Sequence, residues 1–195
     1  MTFTAPVLNY AQLAPMLIVL AGALIGVLIE AFAPRASRHT SQLFIAVASL
    51  VAAFAALVRV RNQSSVDAAM GSVGFDGAGV LLQGTILIIA LLSVFLIADQ
   101  ENFTALAAAV PGSSEERESL QLDLRVTEVY PLTLFAVAGM LLFPVSTDLI
   151  TLFVALEMLS LPLYLMAGLS RRRRLMSQES ALKYFLLGAF SSAFF

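Results

Sequence analysis

The sequence predicts an all-α integral membrane protein, a polytopic helical bundle with about six transmembrane helices. Three observations predict it. Apolar residues make up 59% of the 195 and charged residues only 12%, whereas a soluble domain is roughly a quarter charged. The mean hydropathy is +0.91. The apolar residues also fall into six separate runs, each near the roughly 20 residues that a helix needs to cross a bilayer.

The first span runs from about Leu13 to Ala33 and is stopped by Pro34-Arg35, because proline cannot continue a helix and an arginine does not sit in hydrocarbon. Met1 to Tyr10 carry no Lys or Arg, so the charged start of a cleavable signal peptide is missing and this run reads as a retained span. The second span covers about Gln42 to Val58 and ends at Arg59 and Arg61. The third covers about Gly77 to Ala98 and ends at Asp99. The fourth runs from about Tyr130 to Val145, and the fifth follows directly, from Asp148 to Leu169. The sixth begins near Gln178 and is still apolar at Phe195, which reads as a chain cut inside or just after a span. Gly22 and Gly26 have the small-xxx-small spacing of close helix contacts. The chain divides into residues 1–128, with spans one to three and an acidic loop at 99–128, and residues 129–195, with spans four to six.

Positive charge orients the bundle. With the N-terminus outside, the inner loops hold Arg35, Arg38, Arg117, Arg125 and Arg171 to Arg174, and the outer loops hold only Arg59 and Arg61. The arginine run at 171–174 then serves chiefly as a topology anchor. The 99–128 loop carries Asp99, Glu101, Glu115, Glu116, Glu118, Asp123 and Glu128 and is broken by Pro111-Gly112, so it reads as a cytoplasmic connector.

Composition also excludes whole classes of chemistry. There is no cysteine, so disulfides, thiolate metal sites and Cys-ligated iron–sulfur clusters are excluded. His39 is the single histidine and cannot build a haem or zinc site alone. No phosphate-binding loop, nucleotide-binding glycine pattern or catalytic triad occurs, and nothing in the chain could hold a flavin or redox metal. A net charge of −2 gives no basis for nucleic-acid binding.

What remains is a buried acid. Glu157 lies nine residues after Asp148 and twelve before Leu169, roughly 14 Å and 18 Å from the two ends of its helix. An acid at that depth costs on the order of 3 kcal/mol or more. Positions 153, 154, 160 and 161 are Phe, Val, Ser and Leu, so no cation neighbours it at helical spacing. It must be protonated, paired across to another helix, or wetted by internal water, and proton relays are built from such groups. The bland alternative is a protonated acid in a structural interhelical hydrogen bond. Ser160 and Pro162 lie within two turns, and the proline frees the carbonyl near Met158, so hydroxyl, acid and free carbonyl form a spot that water could occupy. Lys183, the single lysine, lies some 9 Å inside its helix, against roughly 18 Å for Glu157, so a water bridge suits the pair better than direct contact. It could instead snorkel to the interface. Asp148 is expected to cap the fifth span, Glu30 to sit at the interface, and Tyr130 and Tyr164 to pack.

The stretch Asp148-Leu-Ile-Thr-Leu-Phe-Val-Ala-Leu-Glu157-Met-Leu-Ser160-Leu-Pro-Leu-Tyr164, followed by Ala181-Leu-Lys183-Tyr184-Phe-Leu-Leu-Gly188-Ala-Phe-Ser191-Ser192, resembles the antiporter-like proton-pumping subunits of respiratory complex I. Gly139-Met140-Leu-Leu resembles the family's fourth span. The resemblance is closest from Glu128 to Phe195 and lies mainly in span layout before that. It implies the start of an inverted-repeat antiporter-like fold, of about fourteen helices in the whole protein. It implies that Glu157 matches a fifth-span glutamate paired with a seventh-span lysine, which lies beyond Phe195, and that Lys183 matches a sixth-span lysine of the same proton relay. NADH, FMN, iron–sulfur clusters and quinone would then belong to partner subunits, with no cofactor in this chain. Its partners would be the lipid bilayer and the other membrane subunits, in a bacterial inner membrane, and quinone would be met only through the complex. Subunits of multi-subunit cation/proton antiporters share the same acid–lysine logic and are the first alternative. A structural membrane anchor is the second.

Overall fold

The computed structural model describes residues 8–62, 66–99, 114, 127–169 and 174–194. Most of the acidic connector, the side chains of the 171–174 arginine run and Phe195 lie outside the described residues. Six long helices are described: α1 (Tyr10–Phe32), α2 (Arg35–Val60), α3 (Gly77–Ala98), α4 (Val129–Leu142), α5 (Leu149–Gly168) and α6 (Arg174–Ser192).

Pro34 turns α1 directly into α2, its φ of −64° fitting the entry to a helix. α2 begins seven residues before the apolar stretch expected from Gln42. The extra turns are held by polar contacts, with Arg38 Nε donating to the Ala33 carbonyl at 2.8 Å and Ser37 Oγ to the Pro34 carbonyl at 3.1 Å. Helix α3 falls where the apolar run predicts it, and Asp76 caps it by accepting from the Gly79 amide at 2.6 Å.

Between α2 and α3 lies a small hairpin with no counterpart in the sequence reading, since its strands are too short to show alternation. Strands β1 (Val66–Asp67) and β2 (Gly74–Phe75) pair antiparallel, Val66 opposite Phe75. The turn passes through Met70 and Gly71 at φ 51° and 92°, left-handed values that glycine tolerates best. Isolated bridges join Leu8 to Ala69 and Val73 to Ser146, and the Thr147 amide donates to the Ser72 carbonyl at 3.1 Å. The hairpin thus ties the N-terminus, the α2–α3 connection and the α4–α5 connection together at one end of the bundle.

Helix α4 is the centre. Its fourteen residues are apolar all round and mostly buried, including Tyr130, Leu134, Ala136 to Gly139 and Leu141, as expected of a helix enclosed by others. It packs against α1, α2, α3 and α5. Among the described residues four helices (α1, α2, α3 and α5) are long and apolar enough to cross a membrane. Helix α4 is shorter and is extended by the 3₁₀ turn Phe143–Val145, reaching together about 27 Å. α6 runs for 19 residues but carries Ser177, Gln178, Glu179 and Ser180 in its first two turns, so its start is partly polar.

The bundle is inverted relative to a soluble protein. Gln12, Gln42 and Gln83 are completely or almost completely buried, whereas Leu17, Leu28, Phe44, Leu81, Leu92 and Leu165 are exposed. In lipid there is no hydrophobic drive between helices, so close packing and interhelical hydrogen bonds hold them. Gln42 Nε2 donates to the Gly26 carbonyl at 2.8 Å, joining α2 to α1, and Gln83 Nε2 donates to the Leu141 carbonyl at 2.9 Å, joining α3 to α4. The Gly22–Gly26 stripe does what its spacing suggests. A Cβ on Gly22 would lie 2.1 Å from Ser49 Oγ, and one on Gly26 would lie 3.0 Å from both Gln42 Oε1 and Pro131 Cβ. Gly22→Val is therefore expected to destabilise the α1–α2 pair by about 1–3 kcal/mol. Thermal unfolding in detergent checks this; an unchanged midpoint would mean that the two helices do not meet this closely.

Candidate functional site

Helix α5 carries the central acid, and its start is fixed by a strong cap. Asp148 accepts from the Thr151 amide and the Thr151 hydroxyl, each at 2.8 Å, as its sequence position predicts. Those bonds, the backbone one foremost, hold its carboxyl below the ordinary carboxylate range, with the Ser72 hydroxyl of the hairpin adding to them. From this cap the helix runs unbroken through Pro162 to Gly168.

Its depth in the bundle is set by Gly139 of α4. A Cβ there would lie 2.5 Å from the Leu159 nitrogen, 2.8 Å from the Met158 carbonyl carbon and 2.9 Å from the Ala155 oxygen. The two backbones therefore touch within two residues of Glu157. The contact includes Met158, whose carbonyl loses its usual donor because residue 162 is proline. Glu157 itself is half-buried, as is Ser160 one turn on, and among the described residues no hydrogen bond or ion pair reaches either. The apolar groove between α1, α4 and α5 is lined by Leu13, Met16, Leu20, Ala138, Leu142 and Met158, so no charge approaches from that side.

Helix α6 meets α5 along a helical stripe. Ser177 Oγ donates to the Ala167 carbonyl at 2.8 Å, and Ala181 sits over Gly168. Tyr164 is the key of this contact. Its ring stacks edge-on with Tyr184 at 4.7 Å and with Phe185 at 5.8 Å and fills the notch left by Gly188. Lys183 is off this stripe. Its ammonium pairs with Glu179 one turn back on α6, at 2.5 Å, with 69% of its side chain exposed. The structure therefore does not bring Glu157 and Lys183 together. An exposed pair of this kind contributes little to stability.

A second polar cluster sits where α1 ends, α2 begins and α4 begins. Glu30 was expected at the interface, yet only 17% of its side chain is exposed. It accepts from Arg38 and Gln42 at 3.0 Å each and from the Thr127 hydroxyl at 2.7 Å, and Tyr130 Oη lies 3.0 Å from His39 Nε2 beside it. Tyr130 is thus both packed and hydrogen-bonded. The sequence held one signal for this cluster, Glu30 and Arg38 at equal distance on either side of Pro34. Thr127, reached across 97 positions, gave none. No group of three or more potential metal ligands occurs among the described residues.

The bundle thus carries, at the middle of its fifth helix, an acid that pairs with none of the described residues and is braced by a glycine of the fourth. The family described as NADH:quinone oxidoreductase/Mrp antiporter, transmembrane, matches residues 146–195. Along nearly its whole length the chain is similar to NADH-quinone oxidoreductase subunit N of Acidothermus cellulolyticus, 54% identical over 98% of this chain and 38% of the relative. It is also 51% identical to subunit N of Rhodococcus opacus, over all of this chain and 40% of that relative. Among solved structures it is similar to a chain of respiratory complex I from Thermus thermophilus with bound aureothin. The TM-score is 0.65 and the identity 28%, over 92% of this chain and 34% of that one. The chain spans about two-fifths of the length of its curated relatives. Over nearly its whole length the chain is therefore similar to membrane subunits of NADH-quinone oxidoreductase, and both curated relatives named here are subunit N.

Two outcomes follow from this geometry. Gly139→Ala forces a methyl group into the α5 backbone, and stability is expected to fall by about 1–3 kcal/mol, toward the upper end because backbone cannot swing aside. Unfolding in detergent reads it, and a neutral result would dissolve the α4–α5 contact. Because the Asp148 carboxyl titrates lower in the folded protein, its contribution is complete above the ordinary carboxylate range and is lost as pH falls through the lowered value. Asp148→Asn is expected to flatten the acid limb of the stability–pH curve. An unchanged limb would show that the cap is not what titrates.

Proposed function

We propose that the chain is part of a proton-translocating membrane subunit of NADH-quinone oxidoreductase, with Glu157 as a proton-carrying group coupled to electron transfer from NADH to quinone. The observation that supports this most directly is a half-buried carboxyl with no countercharge among the described residues, in a chain about half identical to subunit N over nearly its full length. An ionised carboxylate at that depth is stable only with a partner or water. A carboxyl whose charge depends on such company can take up and release a proton when the company moves. In this reading redox energy is released at NADH, FMN, iron–sulfur clusters and quinone in partner subunits, and the chain has no catalytic centre of its own. Lys183 would join the relay only after leaving Glu179, so its part is secondary. The bundle sits in a bacterial plasma membrane with its N-terminus outside, following the arginine distribution.

The description of the matching family also covers Mrp antiporters, which supports a cation/proton antiporter as the second reading. Relatives at about 50% identity favour the first. The test is Glu157→Gln in the assembled complex, in membrane vesicles given NADH. Gln keeps size and polarity but carries no transferable proton, so acidification should lose most of its amplitude while the complex still assembles. Glu157→Asp should restore part of it. Normal pumping by an assembled Gln variant would leave only the structural-anchor reading.

A further inference from the structure

A second groove lies on the other side of the bundle, between α2 and α3, away from Glu157. Its walls are Phe54, Leu57 and Val58 of α2 and Val80, Leu81 and Ile88 of α3, with Gly84 in its floor and Arg61 at its mouth. The groove exists because position 84 has no side chain. A Cβ there would meet only Leu57, at 3.6 Å, which is ordinary contact. From Arg61 to Phe54 is seven residues and from Val80 to Ile88 eight, so the slot is about 10–12 Å deep. That is most of one leaflet of hydrocarbon, about 15 Å.

The polar groups at the mouth distinguish this slot from an ordinary gap between helices. Arg61 is the residue at the C-terminal cap of α2, is exposed, and has no hydrogen bond or ion pair among the described residues. Asp76, the nearby acid at the start of α3, is engaged in capping the Gly79 amide. The hydroxyl of Thr85 is turned back onto the Leu81 carbonyl at 2.9 Å, so the slot below Arg61 presents no free polar group. The geometry points to a phospholipid site. One acyl chain lies in the slot over Gly84, and the phosphate pairs with the Arg61 guanidinium, whose planar fork suits phosphate oxygens. A free anion would leave the slot empty, and a polar ligand finds no free polar group below Arg61.

The full-length protein, extracted with native lipid into polymer nanodiscs, can be loaded with a photoactivatable phosphatidylglycerol whose reactive group is on the acyl chain. Cross-links are expected on Phe54, Leu81 and Ile88. Their yield should fall about tenfold both in Arg61→Gln, which removes the charge-assisted pair, and in Gly84→Phe, which fills the slot. Arg59→Gln, outside the groove, should retain the yield. Equal labelling in all four proteins would mean ordinary boundary lipid and would overturn the site. So would a cross-link from the groove to another polypeptide in place of lipid.

Discussion

The contact of α4 with α5 at Gly139 is the constraint from which the rest of the bundle follows. Backbone meets backbone there, at Ala155, Met158 and Leu159, with no side chain between. In lipid such an approach is what holds helices, since dispersion falls away steeply with any gap. Because the approach is made at Met158 and Leu159, the preceding residue is fixed in depth and rotation, and that residue is Glu157. The cap at Asp148 fixes the same helix lengthwise from its other end. The acid is therefore held by a backbone contact at Gly139 and by the capped start of its helix.

Helix α4 is in turn held by its neighbours. Gln83 grips its end through the Leu141 carbonyl, and the Glu30 cluster grips its beginning through Thr127 and Tyr130. Buried amides and carboxylates are costly in a membrane unless bonded. Glu30 offsets that cost by collecting three donors, two from α2 and one from Thr127, two residues before α4. Polar groups that would loosen a soluble core here join α1, α2 and α3 to the unit that carries Glu157. Buried side chains from Met16 to Val145 consequently form one cluster.

Much of this was legible in the sequence, for definite reasons. Helix existence followed from apolar runs, and the cap at Asp148 followed from a carboxyl placed just ahead of one. Gly22 and Gly26 were readable because small residues one turn apart have a mechanical use in lipid. Gly139 could be noticed only through resemblance, because a single glycine in a helix does not announce what lies against it. The start of α2 was misjudged because hydropathy cannot follow a helix into water, where Arg38 and Ser37 hold it. The β1–β2 hairpin and Thr127 were invisible, since both depend on contacts between distant parts of the chain.

The relation of Glu157 to Lys183 shows how rotation decides what depth leaves open. Depth alone allows a water bridge between them. The α5–α6 contact, however, is made by Ser177, Ala181, Tyr184, Phe185 and Gly188, a stripe at helical spacing. Lys183 falls two residues after Ala181 and one before Tyr184, off that stripe, and Tyr164 in the Gly188 notch resists rotation of α6. Turning the lysine toward α5 would require breaking the tyrosine contacts. Within this bundle the acid of α5 and the lysine of α6 therefore do not pair. Any countercharge for Glu157 has to approach from a face that α1, α4 and α6 leave open.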